Sequence, residues 1–212
     1  MNTPGERAFV SFCTKHRLPY RRVVENSKSK NPDYILFPEL DAIIIEIKDL
    51  AHNPDETRAL DQIKKNHFAV WGSSKTGSRI REKIRKAHAQ LRVSRDQKLP
   101  TILLLFDDRD YRVSVLSPYE IAVAMYGYET RALRPDHSVS GRFGASAQMT
   151  AKTRKYISAI GIIDTELNLR LYLNFFAETP LHSSELMKCP VVTAYVLRQS
   201  PEMGFSDWTE IE

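Results

Sequence analysis

Apolar residues along this chain fall into two kinds of pattern. The first is the uninterrupted run. Ile43, Ile44 and Ile45 stand together, and residues 99–106 read LPTILLLF. Runs of that length, rich in branched side chains, predict strands buried on both faces. The second is the helical stripe. In residues 4–17, Ala8, Phe9, Phe12, Cys13 and His16 recur at the spacing of one helix face, with Thr3 as cap and Pro4 in the first turn. In residues 78–92, Ile80, Ile84, Ala87 and Leu91 make the clearest stripe in the chain. Further helices are predicted over 56–68 and 118–126, and further strands over 20–25, 111–116, 156–164, 169–176 and 191–197. Residues 134–155 are rich in Ser, Gly and Ala without periodicity, and predict a long mobile loop. Strands alternating with helices around buried β runs make an α/β sheet.

The stretch 31–50, NPDYILFPELDAIIIEIKDL, reads as a hairpin. Side chains alternate faces along a strand, so Glu46 and Lys48 share one face and Ile43, Ile45 and Ile47 the other. If the turn centres between Glu39 and Leu40, Asp33 lies opposite Glu46, with Cβ atoms about 4.5–5.5 Å apart. A loop of odd length would move that register by one. Two carboxylates brought together need a cation. Mg²⁺ or Mn²⁺ suits them, because hard cations take carboxylate oxygens and water.

Composition narrows the function. With 212 residues and 42% apolar content, the chain suits one folded domain. No apolar run approaches a membrane span and no signal-peptide pattern opens the chain, which predicts a cytoplasmic protein and no membrane partner. Cys13 and Cys189 form no zinc spacing. The six histidines give no ligand pair such as HxxxH, and neither a P-loop nor a GxSxG elbow is present. Net charge is +5 and uneven: residues 1–100 carry 20 Lys and Arg against 12 Asp and Glu, and the remainder 11 against 14. The basic half therefore accompanies the carboxylate pair, which suits a polyanionic substrate. Lys75, Arg79, Lys83 and Lys86 are candidate phosphate contacts on and before helix 78–92; a solvated helix face is the plainer reading.

Pro32-Asp33 at a strand start, followed by Glu46-Ile47-Lys48 ending an Ile-rich strand, resembles the signature of the PD-(D/E)xK nuclease superfamily. The resemblance covers about residues 5–106, and the order of predicted elements agrees with it. It implies a restriction-endonuclease-like core over 1–126, a mixed sheet flanked by helices, with 156–212 as a β-rich elaboration of the same domain. It implies metal-dependent hydrolysis of DNA phosphodiesters, DNA in preference to RNA, leaving 5′-phosphate and 3′-hydroxyl ends. Asp33, Glu46 and the main-chain carbonyl of Ile47 would hold the metal, and Lys48 would orient the attacking water. Glu6 matches the helix acid that many members add to the metal site, with Glu25 as its competitor. Gln90 matches a helix glutamine that some members place beside the lysine. A homodimer fits duplex cleavage on this fold. Two other readings stay open: a nucleic-acid-binding module that no longer cleaves, and a protein whose basic half docks an acidic partner.

Overall fold

A computed structural model describes residues 3–24, 31–39, 41–69, 76–92, 97–110, 112, 116–133, 135, 139–181, 184–198, 201 and 208–211. The predicted Glu25, the Leu40 of the hairpin turn, Lys75 and nearly all of the strand expected over 111–116 lie outside these residues.

Helix α1, Pro4–Lys15, opens with a full capping box: Thr3 Oγ1 accepts the Glu6 N–H, and Glu6 Oε2 accepts the Thr3 N–H. It stops two residues short of the apolar pattern. Arg17 takes a positive φ of 55°, and the chain turns back as the Leu18 N–H donates to Cys13 O. An antiparallel meander follows: β1 (Tyr20–Arg22), β2 (Tyr34–Leu36) and β3 (Ile43–Leu50). Helices α2 (Pro54–Asn66) and α3 (Ser78–Arg92) then cross over, and β4 (Thr101–Asp107) lies parallel to β3. A parallel pair needs such a crossover, because a tight turn cannot join two strands running the same way.

Helix α4, Pro118–Tyr126, follows β4. It is apolar all round and buried from Ile121 to Tyr126, as a helix enclosed on every side must be. It ends at Gly127, where φ is 92° and a Cβ would stand 2.4 Å from Ala145 O, so only glycine fits. The long loop expected over 134–155 is corrected in part. Tyr128–Leu133 (β5) and Val139–Ala145 (β6) pair as a separate two-stranded sheet. The β6 sequence, VSGRFGA, has too few bulky side chains to show the alternation that marks a strand. Strands β7 (Ala159–Ile163), β8 (Leu169–Leu173), β9 (Val192–Leu197) and β10 (Trp208–Glu210) complete the main sheet, with a 3-10 turn, Glu185–Lys188, before β9.

The main sheet is mixed and eight-stranded, in the order β1-β2-β3-β4-β7-β8-β9-β10. Its central strands are buried on both faces, and alternation sorts their side chains. Ile44, Leu50, Leu103, Leu105, Ile160 and Ile162 meet α3 and α4. Ile43, Ile45, Ile47, Ile102, Leu104 and Phe106 meet α1 and the 3-10 turn. The fold is thus α/β, a mixed sheet with helices on both faces. Among the described residues no helix is long and apolar enough to cross a membrane.

Candidate active site

The hairpin register is the even one. Tyr34 pairs with Ile45, Ile35 with Ile44 and Leu36 with Ile43. The ladder ends at Tyr34, and Asp33 stands just before β2, close enough to Glu46 for the two charges to interact. Asp33 is pinned there by its own backbone: its N–H donates to Ile45 O at 3.1 Å, and its C=O accepts the Val23 N–H at 2.9 Å. Its carboxylate Oδ2 accepts the Ile47 N–H at 2.7 Å. Ile45 and Ile47 therefore turn their main-chain groups toward β2. The Ile47 carbonyl faces the same side, since a residue in an antiparallel ladder directs both its groups at one neighbour.

Glu46 is fully buried, with 0% of its side chain exposed. Lys48 Nζ donates to Glu46 Oε1. Oε2 is buried with no hydrogen-bond partner. Burial, and then the neighbouring Asp33 charge, push the Glu46 carboxyl up to about 7, against the pull of Lys48. Asp33 is also raised, first by burial; the Ile47 N–H and the Lys48 charge oppose the shift, and the Glu6 charge adds to it. The two carboxylates thus sense one another in a dry site, and one of them holds an unsatisfied oxygen. An orphaned buried carboxylate oxygen costs several kcal/mol, roughly 1–3 or more, and a cation removes that cost.

The other expected residues divide. Glu6 is buried on α1 near Asp33, but its oxygens serve the capping box and Arg22 Nη2, at 3.4 Å. Among the described residues no three His, Cys, Asp or Glu side chains stand together as a metal-ligand group, and the Glu6 charge reaches Asp33 from the cap. Gln90 makes no described contact with Lys48; its Oε1 is buried without a partner. Its place on α3 is informative. Arg81 reaches Val123 O and Tyr128 Oη, and His88 meets Tyr156 Oη, so that flank of α3 faces α4 and the start of β7. At 100° per residue, Lys83 and Gln90 lie on the opposite flank, over β3 and the hairpin. The Lys83 ammonium is lowered, first by burial and then by Lys86.

Arg79 is already committed. Its Nη1 donates to both Glu56 oxygens at 2.8 Å, and its Nη2 to Ala51 O. That takes it out of the expected phosphate-binding set. Lys86 is exposed and paired with Glu82 one turn earlier, at 2.6 Å, a contact worth about 0.3–0.5 kcal/mol.

Two devices escaped the sequence reading. Asp49 Oδ1 accepts the Gly5 N–H at 2.7 Å, tying the start of α1 to β3. A Cβ on Gly5 would stand 2.5 Å from that oxygen, so glycine permits the approach. At the C-terminal end of the parallel pair, buried Glu56 receives Arg79 and Arg109, and Arg109 grips Asp107 through two bonds of 2.6 and 2.8 Å. The signal for Glu56 was legible: Asn53-Pro-Asp-Glu56 is a capping box, and it starts α2 at Pro54 rather than at 56.

The donor set fits a hard divalent cation. The Asp33 and Glu46 charges interact, one Glu46 oxygen lacks a hydrogen-bond partner, and the Ile47 carbonyl and water could complete a shell. Comparison with family models, with curated proteins and with solved structures returned no match to this chain.

Proposed function

We propose that the chain is a divalent-metal-dependent nuclease that hydrolyses DNA phosphodiester bonds, with Asp33, Glu46 and Lys48 as its centre. The observation that carries this reading is Glu46: a fully buried carboxylate with one orphaned oxygen, near enough to the Asp33 carboxylate for the two charges to interact. A pair of this kind is an expensive way to brace a sheet. Perturbed carboxylates held together are a mark of functional sites.

The order of elements adds support. A helix, an antiparallel meander, a crossover helix and a parallel strand on β3 are what a restriction-endonuclease-like core requires. Glu46 and Lys48 lie on β3 and Asp33 just before β2, an arrangement that supports the PD-(D/E)xK resemblance.

Each residue then has a task. Asp33, Glu46 and the Ile47 carbonyl would hold Mg²⁺ or Mn²⁺. The bound ion supplies charge neutralisation at the phosphoryl oxygens and a more acidic water. Glu46 must shed its proton before it can ligate, so ligation strengthens as pH rises through about 7. Lys48, which donates to Glu46 Oε1, would turn its ammonium to the attacking water and to the charge building on the phosphoryl group. The Ile47 N–H bond fixes the Asp33 carboxylate, and its other oxygen would be the one offered to the metal.

One observation favours a second reading, a module that binds nucleic acid without cutting. Lys48 already neutralises Glu46, and an internal cation can stand in for a metal. A supercoiled-plasmid assay separates the two. Cleavage in Mg²⁺ that is lost in Asp33→Asn and Lys48→Ala supports the nuclease. Binding without cleavage, unchanged in Lys48→Ala, supports the module.

A further inference from the structure

A second cationic site lies on the other flank of α3. A cavity of about 310 Å³ opens between the end of α3 and the turn at 152–156, lined by His88, Arg92, Lys152, Arg154, Lys155 and Tyr156. Its volume sits at the small end of the range for ligand pockets, roughly 300–1,000 Å³. Among the described lining residues the one acid is Glu178, which Lys155 meets at 2.8 Å. Three further cations, Arg92, Lys152 and Arg154, therefore face the cavity.

The turn that presents them is held by its own hydrogen bonds. Thr150 Oγ1 accepts the N–H groups of Lys152 and Thr153, each at 3.1 Å, and Thr150 bridges Thr153 through the backbone. Arg154 then adopts a φ of 50°, a conformation costly for a residue with a side chain. Its Nη1 is anchored on Gln148 O at 2.9 Å, while its Nε is buried without a partner. On the opposite wall His88 Nδ1 meets Tyr156 Oη. The charges of Arg154 and Arg92 both reach this pair, adding to the burial that lowers the imidazole. Cations that line one cavity repel one another, and an anion between them relieves the repulsion.

We infer that this cavity is a phosphate-binding site, separate from the carboxylate pair and taking a phosphomonoester or phosphodiester group between Arg92, Lys152 and Arg154. Two planar guanidiniums and an ammonium match phosphate oxygens better than a carboxylate. The cavity sits beside the start of β4, where Thr101 Oγ1 donates to Tyr156 O. The Lys83 and Gln90 flank and the hairpin lie across the helix. The site does not depend on the nuclease reading.

The test is a titration of the full ¹⁵N-labelled chain, without divalent metal and at constant ionic strength, with inorganic phosphate and with AMP. Amide shifts at Thr153, Arg154 and Tyr156 should saturate. Arg92→Gln and Lys152→Gln, both exposed changes, should each weaken binding about tenfold, the usual effect of losing one charge-assisted contact. Asp33→Asn should leave the titration unchanged, which separates this site from the first. A labelled oligonucleotide identifies the source of the phosphate. If Arg92→Gln weakens its binding and flattens its salt dependence, the phosphate belongs to a nucleic-acid backbone. If only AMP and phosphate respond, it belongs to a free nucleotide. Shifts that grow without saturation, or equal affinity in wild type and both variants with unchanged thermal midpoints, overturn the site.

Discussion

Glu46 sets the energetics at the scale of single residues. In the folded chain its carboxyl keeps a proton up to about pH 7, whereas an ordinary one releases it near 4.5. The folded state therefore binds more protons across that window, and stability falls as pH rises through it. Glu46→Gln removes the buried charge. It should be more stable than wild type at pH 8, by on the order of 2–3 kcal/mol, and the gain should shrink toward pH 4.5. Urea melts at the two pH values check this; a variant weaker than wild type at pH 8 would show that Lys48 satisfies the charge. The same change should abolish cleavage, so stability and activity move in opposite directions. Lys48→Ala should lower kcat by about 10²–10³-fold, the usual loss of one transition-state charge donor, while DNA affinity holds. Strand parity and an even turn made the hairpin register legible in the sequence; the irregular start of β2, where the Asp33 N–H donates to Ile45 O, was not. Glu6 was less legible: an acid three residues after a threonine at a helix start serves a capping box as readily as a metal, and here it caps. Gln90 could be placed on a helix but not on a flank, since only the contacts of Arg81 and His88 orient α3.

Among the elements, the hairpin and the crossover hold the site. Strand β3 presents Glu46 and Lys48 to the α3 face and Ile45 and Ile47 to α1, so both cores brace it. Phe12, buried in the α1 core, is the plainest test of that bracing: Phe12→Ala should cost about 3–5 kcal/mol, read from the urea midpoint. The Glu56 cluster locks the other end. Glu56→Ala leaves Arg109, whose side chain is 6% exposed, without its bond to α2. That should destabilise the fold by about 3–5 kcal/mol, as breaking buried ion pairs does; a loss under 1 kcal/mol would mean that Asp107 satisfies Arg109 alone. Helix α3 and helix α4 could be read to the residue, because an apolar stripe or a capped apolar block marks its own ends. Strands β5 and β6 could not. Gly141 and Gly144 contribute no side chain to alternate, so the strand pattern does not show in the sequence, although the backbones pair.

Seen as a whole molecule, one sheet carries both halves of the chain, and α3 divides its upper face. On one flank Lys83 and Gln90 overlook the hairpin; on the other, Arg92 and the 152–155 turn enclose a cationic cavity. The chain's cations therefore split between ion pairs that build the fold, as at Arg79 and Arg109, and cations left for a ligand, as at Arg92 and Lys152. Composition could not make that division, because it counts charges without their partners. If DNA is the substrate, the logarithm of affinity should fall linearly with the logarithm of salt, by roughly 0.7–0.9 for each phosphate contacted. A salt-independent affinity measured by fluorescence anisotropy would point instead to a protein partner. The most direct test is crystallographic: anomalous diffraction from crystals soaked in Mn²⁺ at pH 8. A peak is expected between Asp33 and Glu46, at ligating distances near those of Mg²⁺, about 2.0–2.1 Å, with Lys48 Nζ released from Glu46 Oε1. A site without a peak, its Glu46 still held by Lys48, would contradict the metal site.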